Sequence, residues 1–90
     1  MNWYLYIVRC NDNSLYTGIT TDTKRRVHEH NTSNAKGSKA LRGKRPVTIV
    51  YSEIYSTKSA ACKREAEIKK WNREDKLNLV KNLQKTIILH

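Results

Sequence analysis

Two short strand-like runs sit close together near the start of this chain, each carrying tyrosine at a set place. Trp3 to Arg9 and Leu15 to Thr20 are rich in aromatic and β-branched residues, the types that favour a pleated, half-buried backbone. Between them lies Asn11-Asp12-Asn13-Ser14, whose side chains bond their own main chain and tolerate left-handed backbone. An antiparallel hairpin follows. Strand side chains alternate, so Tyr4, Tyr6 and Val8 share one face, and Tyr16, Gly18 and Thr20 share one face. The two sets meet on the same side of the sheet only if the loop has an odd number of residues or a bulge shifts the register. One of those is expected.

After the hairpin, Asp22 is suited to cap a helix running to about Thr32. That segment is nearly devoid of apolar residues, with Val27 as its main anchor, so it must be held by packing rather than propensity. Asn34 to Pro46 reads as a basic loop punctuated by Gly37, Gly43 and Pro46. Val47 to Ile54 is the most strand-like run of the chain and is expected to be the buried strand. Thr57 or Ser59 then opens a helix bearing Ala61, Ile68 and Trp71. Asn72, with Asp75 three positions on, looks like a fresh cap, so a further helix begins there with Leu77, Val80 and Leu83 inward. Ile87-Ile88-Leu89 either docks or frays. The predicted fold is α+β: a small three-stranded antiparallel or mixed sheet flanked by three helices, in the order β-β-α-β-α-α.

At 90 residues the chain forms one domain, 1–90, with no room for separate catalytic and binding units. The apolar fraction is only 38%, but 2 Trp and 5 Tyr are large enough to fill a small core. No run approaches the roughly 20 apolar residues of a membrane span, and Met-Asn-Trp-Tyr lacks a signal-peptide layout. No membrane partner and a cytoplasmic location are the expectation. Cys10 and Cys62 stand about fifty positions apart, forming neither a metal pair nor a disulfide framework, and are read as reduced, packed thiols.

The net charge of +10 points to a polyanionic partner, because lysines and arginines that neutralise phosphates release condensed counterions. That charge is concentrated. Lys24, Arg25, Arg26, Lys36, Lys39, Arg42, Lys44 and Arg45 face a single acid, Glu29, which gives that stretch +7. A loop containing glycine can approach a phosphate closely, so Lys24, Arg25, Lys36, Lys39, Arg42, Lys44 and Arg45 are candidate nucleic-acid contacts. Arg26 and His30, four apart, stack on one helix face. Arginine braces phosphoryl oxygens with a fixed fork of donors, and histidine moves protons near neutral pH.

Together these residues resemble the GIY-YIG nuclease superfamily. Tyr4-Leu5-Tyr6 stands where that family has Gly-Ile-Tyr, and Tyr16-Thr17-Gly18 where it has Tyr-Ile-Gly. Arg26, eight residues after Gly18, matches its arginine; His30 falls where several members carry His or Tyr; and Glu65, within Lys63-Arg64-Glu65-Ala66-Glu67, matches its metal-binding glutamate. The likeness spans about residues 3–72, leaving 73–90 as a final helix and tail, and is closest to the small single-domain branch, whose basic loop also ends in Arg-Pro. Tyr4 departs from the family glycine, Thr17 from its isoleucine, and no residue clearly matches a late asparagine, Asn72 and Asn78 being the nearest candidates.

The resemblance implies a metal-dependent endonuclease acting on DNA, less readily on RNA, in repair or recombination. The catalytic set would be Tyr6, Tyr16, Arg26 and His30, with Glu65 holding one Mg²⁺ or Mn²⁺ and Glu67 its main competitor. Tyr6 or Tyr16 would position or deprotonate the attacking water, Arg26 would stabilise charge on the phosphate, and His30 would assist proton transfer. The alternative is a non-catalytic nucleic-acid-binding module on the same fold, which Tyr4 favours, or an accessory protein for an acidic partner. Small size also leaves room for a protein partner or a homodimer.

Overall fold

Seven elements appear in a computed structural model that describes residues 1–86, and the side chains of 1–81. They are β1 (Trp3–Arg9), β2 (Leu15–Thr20), α1 (Thr23–Thr32), a 3₁₀ helix (Lys39–Lys44), β3 (Thr48–Tyr55), α2 (Lys58–Lys69) and α3 (Arg73–Thr86). The order is the one expected, with the basic loop adding a 3₁₀ turn. Leu83 and Ile87-Ile88-Leu89 lie outside the described side chains and residues.

The strands form one antiparallel sheet in the order β2-β1-β3. Five residues, Cys10 to Ser14, separate β1 from β2, so the loop is odd and the tyrosine faces coincide. Asn13 takes the left-handed backbone (φ 67°) that an asparagine tolerates. The Asp12 carboxylate accepts from the Ser14 amide at 3.0 Å, and the Cys10 amide donates to the Ser14 carbonyl at 2.8 Å. Tyr6 then lies opposite Gly18, and Val8 opposite Tyr16.

β1, not β3, is the buried strand. Leu5, Tyr6, Ile7 and Val8 are buried in succession, because the central strand of a three-layer arrangement is covered on both faces. β3 is an edge strand, and Ile49 and Ile54 on it remain 38% and 59% exposed. A bulge between Ile7 and Val8 shifts its register against β1. The edge position explains why a run so apolar in sequence is only half covered.

Each sheet face has its own core. On one, Tyr6, Val8, Cys10, Leu41 and Val47 cluster, with Tyr16 and Val27 packed against them. On the other, Leu5, Ile7 and Ile68 cluster under Leu15, Ile19, Val50, Tyr51, Tyr55, Trp71, Leu79 and Val80. Thus α1 and the 3₁₀ turn cover the tyrosine face, while α2 and α3 cover the opposite one. Caps fall where the sequence puts them: Asp22 accepts from the Arg25 amide, Thr57 from the Ala60 amide and Asn72 from the Asp75 amide. α1 has one further tie. The Asn31 side chain donates to the Val47 carbonyl (3.1 Å) and accepts from its amide (2.7 Å), pinning the helix to the start of β3.

Candidate active site

Tyr6, buried in the core of the motif face, is the centre of the cluster, and Gly18 makes room for it. A Cβ added to Gly18 would stand 2.6 Å from the Tyr6 hydroxyl oxygen and 2.8 Å from Cζ, well inside contact distance. The phenol therefore lies flat across the β2 backbone, and the last residue of the second motif is glycine for a steric reason. The Tyr6 hydroxyl is 2.8 Å from His30 Nε2. Tyr16 meets the same imidazole edge-on, with ring centroids 5.7 Å apart.

His30 is wholly buried. Its Nδ1 accepts from the Ser38 amide at 3.2 Å, so the neutral ring carries its proton on Nε2 and donates to Tyr6. The tyrosine's own hydrogen is left to point elsewhere. Burial, followed by the nearby charge of Arg26, lowers the His30 pKa from its usual 6.5 to about 4, and Arg45 adds to this. At neutral pH the ring is an uncharged donor with both nitrogens engaged. Gly37 permits this arrangement, since a Cβ there would meet the Ser33 and Glu29 carbonyl oxygens at 2.6 and 2.8 Å. The loop thus folds tightly onto the end of α1 and delivers the Ser38 amide.

Arg26, one turn before His30, lies beside Tyr6. It pairs with Glu29 at 3.1 Å and donates to the Lys36 carbonyl at 2.5 Å. Burial raises the Tyr6 pKa to about 12; Arg26 opposes the rise, while Tyr16 and Glu65 add to it. The carboxylate of Glu65 thus lies within electrostatic reach of the phenol. On α2, Glu65 falls on the stripe of Ala61 and Ile68, the two buried residues of that helix. Its side chain is 23% exposed and pairs with Lys69 at 3.3 Å. Glu67, its competitor in the sequence, is instead bound to Arg64 at 2.5 Å and is 56% exposed.

The basic loop divides into two kinds of residue. Arg45 donates from Nε to the His30 carbonyl (2.6 Å) and from a terminal nitrogen to the Ser33 carbonyl (3.1 Å), closing the end of α1. Arg42 donates to the Asn34 carbonyl. Lys44 lies 3.4 Å from the Ser14 hydroxyl and 3.7 Å from Asp12, bracing the hairpin turn. Lys24, Arg25, Lys36 and Lys39 are exposed, with Arg25 3.7 Å from Glu29. Neither the Ser38 amide nor the arginine–carbonyl ties could be read from residue types, because main-chain partners leave no residue-type signature. Asn31, one position after His30, was equally silent.

The donor set suits a hard divalent cation. Glu65 offers one partly exposed carboxylate, and no group of three Asp, Glu, His or Cys surrounds a common point among the described residues. Mg²⁺ is often held that way, by one or two carboxylates with water and phosphate oxygens filling the other positions.

The family profile of the GIY-YIG catalytic domain matches residues 2–78. The chain belongs to the GIY-YIG family. It is 52% identical over 77 residues to a UPF0213 protein of Staphylococcus epidermidis, covering 86% of this chain and 92% of that one. A UPF0213 protein of Haloquadratum walsbyi is 54% identical over 76 residues, covering 84% and 83%. Among solved structures, the NMR structure of a UPF0213 protein from Bacillus halodurans superposes with a TM-score of 0.57 at 41% identity, covering 90% of this chain and 84% of that one. A second NMR structure, of a protein from E. faecalis, gives 0.61 at 36% identity and covers 100% and 90%. A GIY-YIG catalytic domain implies nuclease-type chemistry on nucleic acid. No described helix is long and apolar enough to cross a membrane.

Proposed function

We propose that this protein is a metal-dependent endonuclease that hydrolyses phosphodiester bonds in DNA. The observation that carries the reading is the Tyr6 hydroxyl, held by His30 Nε2–H on one side with Arg26 beside it. Donors placed around an oxygen stabilise negative charge there before the reaction begins. His30 and Arg26 stabilise Tyr6 as its phenolate, which takes the proton of the attacking water and becomes the neutral phenol. His30 does so as a neutral donor, since its pKa near 4 leaves it no proton to shuttle at neutral pH. Tyr16, packed on the same imidazole, lines the place where that water is oriented. The Arg26 fork would also brace the phosphoryl oxygens.

Glu65 would hold one Mg²⁺ or Mn²⁺, which supplies charge neutralisation at the phosphate and the leaving oxygen. With its pKa near 12, Tyr6 is almost wholly protonated at neutral pH, and a cation held by Glu65 would supply positive charge that favours the phenolate. Lys24, Arg25, Lys36 and Lys39 are the exposed charges that track the backbone of the nucleic acid. No described element resembles a recognition helix, so backbone contacts dominate and sequence preference is weak.

The test is plasmid nicking by the purified chain in Mg²⁺ or Mn²⁺. Nicking that vanishes on chelation and in Glu65→Gln supports the reading. Tight, salt-sensitive DNA binding with no cleavage in either metal replaces it with the binding-module alternative.

A further inference from the structure

On the sheet face opposite Tyr6 and Tyr16 sits a polar cluster that the proposed chemistry does not use. Glu53, in the middle of β3, receives two nitrogens of Arg64, with Nε at 3.0 Å and a terminal nitrogen at 3.1 Å. The Tyr55 hydroxyl donates to the same carboxylate at 2.6 Å, and the Tyr51 hydroxyl donates to its other oxygen. Arg64 also reaches Glu67 at 2.5 Å and lies over the Trp71 ring, 5.1 Å from its centre. Burial pushes the Glu53 carboxyl up, but the hydrogen bonds from Arg64, Tyr51 and Tyr55 outweigh it and hold the group below its ordinary value. The carboxylate is ionised and fully engaged.

Arg64 is the residue immediately before Glu65. α2 buries only Ala61 and Ile68 fully, two side chains on one line along the helix. A single line of contact sets the height of a helix over a sheet but resists rotation about its own axis weakly. The Arg64 fork supplies the missing constraint, because a bidentate pair fixes direction as well as distance. The lever is large: side-chain ends lie about 5–6 Å from a helix axis, so a 20° rotation carries the Glu65 carboxylate about 2 Å.

We propose that Glu53 and Arg64 are positioning residues that lock the rotation of α2 and thereby aim Glu65 at the metal position. This rests on the reading of Glu65 as the metal-holding carboxylate. Mg²⁺ demands near-ideal geometry, and errors of about 1 Å in a catalytic constellation cost up to about 100-fold. Neither residue touches metal or nucleic acid. Their effect is on where Glu65 stands.

Mn²⁺ titration of the ¹⁵N-labelled protein tests the idea, with paramagnetic broadening of the residue 64–66 amides as readout, beside nicking rates against Mg²⁺ concentration. In Glu53→Gln, both midpoints are expected to rise at least 5-fold while the rest of the spectrum stays native. Tyr55→Phe, which leaves the Arg64–Glu53 pair intact, should move neither. If Glu53→Gln does not fold, Arg64→Lys keeps the charge, loses the fork and carries the same expectation. A native spectrum with unchanged midpoints in the folded variant overturns the proposal, whatever stability is lost. Absence of broadening near Glu65 in the wild type would instead overturn the metal reading itself, and the clamp with it.

Discussion

The Tyr6 ring and the Gly18 backbone occupy adjoining space with nothing to spare, so the smallest substitution at Gly18 is informative. Gly18→Ala places a methyl 2.6 Å from the hydroxyl oxygen, and overpacking of this kind costs about 1–3 kcal/mol. Denaturant unfolding should show that loss, and nicking should fall further than stability does because Tyr6 leaves its place against His30. His30 makes a second residue-scale prediction. Its folded pKa of about 4 lies below the unfolded value of 6.5. Between those values the unfolded chain binds the extra proton, so stability is full above pH 6.5 and declines as pH falls toward 4. At about 1.4 kcal/mol per pKa unit, the gap corresponds to about 3 kcal/mol. Equilibrium unfolding at pH 7.5 and 4.5 checks this, and His30→Gln should flatten the dependence while lowering stability at neutral pH.

At the scale of elements, the basic loop separates charges that build the fold from charges free to meet a phosphate. Arg45→Lys keeps the charge but loses the fork on the His30 and Ser33 carbonyls, so it should cost about 1–2 kcal/mol and leave the salt dependence of DNA binding unchanged. Lys36→Ala and Lys39→Ala should do the reverse, each flattening the log–log salt slope by about 0.9 on duplex DNA with stability hardly altered. In the sequence these residues look alike. Lys39 and Arg45 are both cations on one basic loop and are told apart by what the main chain offers the Arg45 fork, and the alternation and capping rules that located β1, β2, Asp22 and Asn72 do not register carbonyl groups. The edge position of β3 was hidden for a related reason. Thr48 to Tyr55 is as apolar as a central strand, and only pairing decides that β1 takes the middle. Glu53 did carry a signal, since Tyr51, Glu53 and Tyr55 fall on one face at strand spacing, but its partner sits eleven residues on, in a helix, and no local pattern joins them. The tyrosine cluster was legible because both its strands, its turn and its helix are contiguous in the chain.

For the whole molecule, the sheet divides labour between its faces. One holds Tyr6, Tyr16, His30 and Arg26 under α1 and the basic loop, and the other holds α2, which carries Glu65. Residues 6 to 65 must therefore be assembled before any candidate site exists, so nicking and near-ultraviolet circular dichroism should be lost at one denaturant concentration. In this mechanism the Tyr6 hydroxyl does chemistry rather than packing, and Tyr6→Phe removes that oxygen while keeping the ring. The deciding measurement is the single-turnover nicking rate of wild type and Tyr6→Phe in Mg²⁺ with DNA bound to saturation. The expected result is a fall of at least about 100-fold, the scale of proton-transfer catalysis, with DNA affinity within 2-fold of wild type. Equal rates for the two proteins would contradict it.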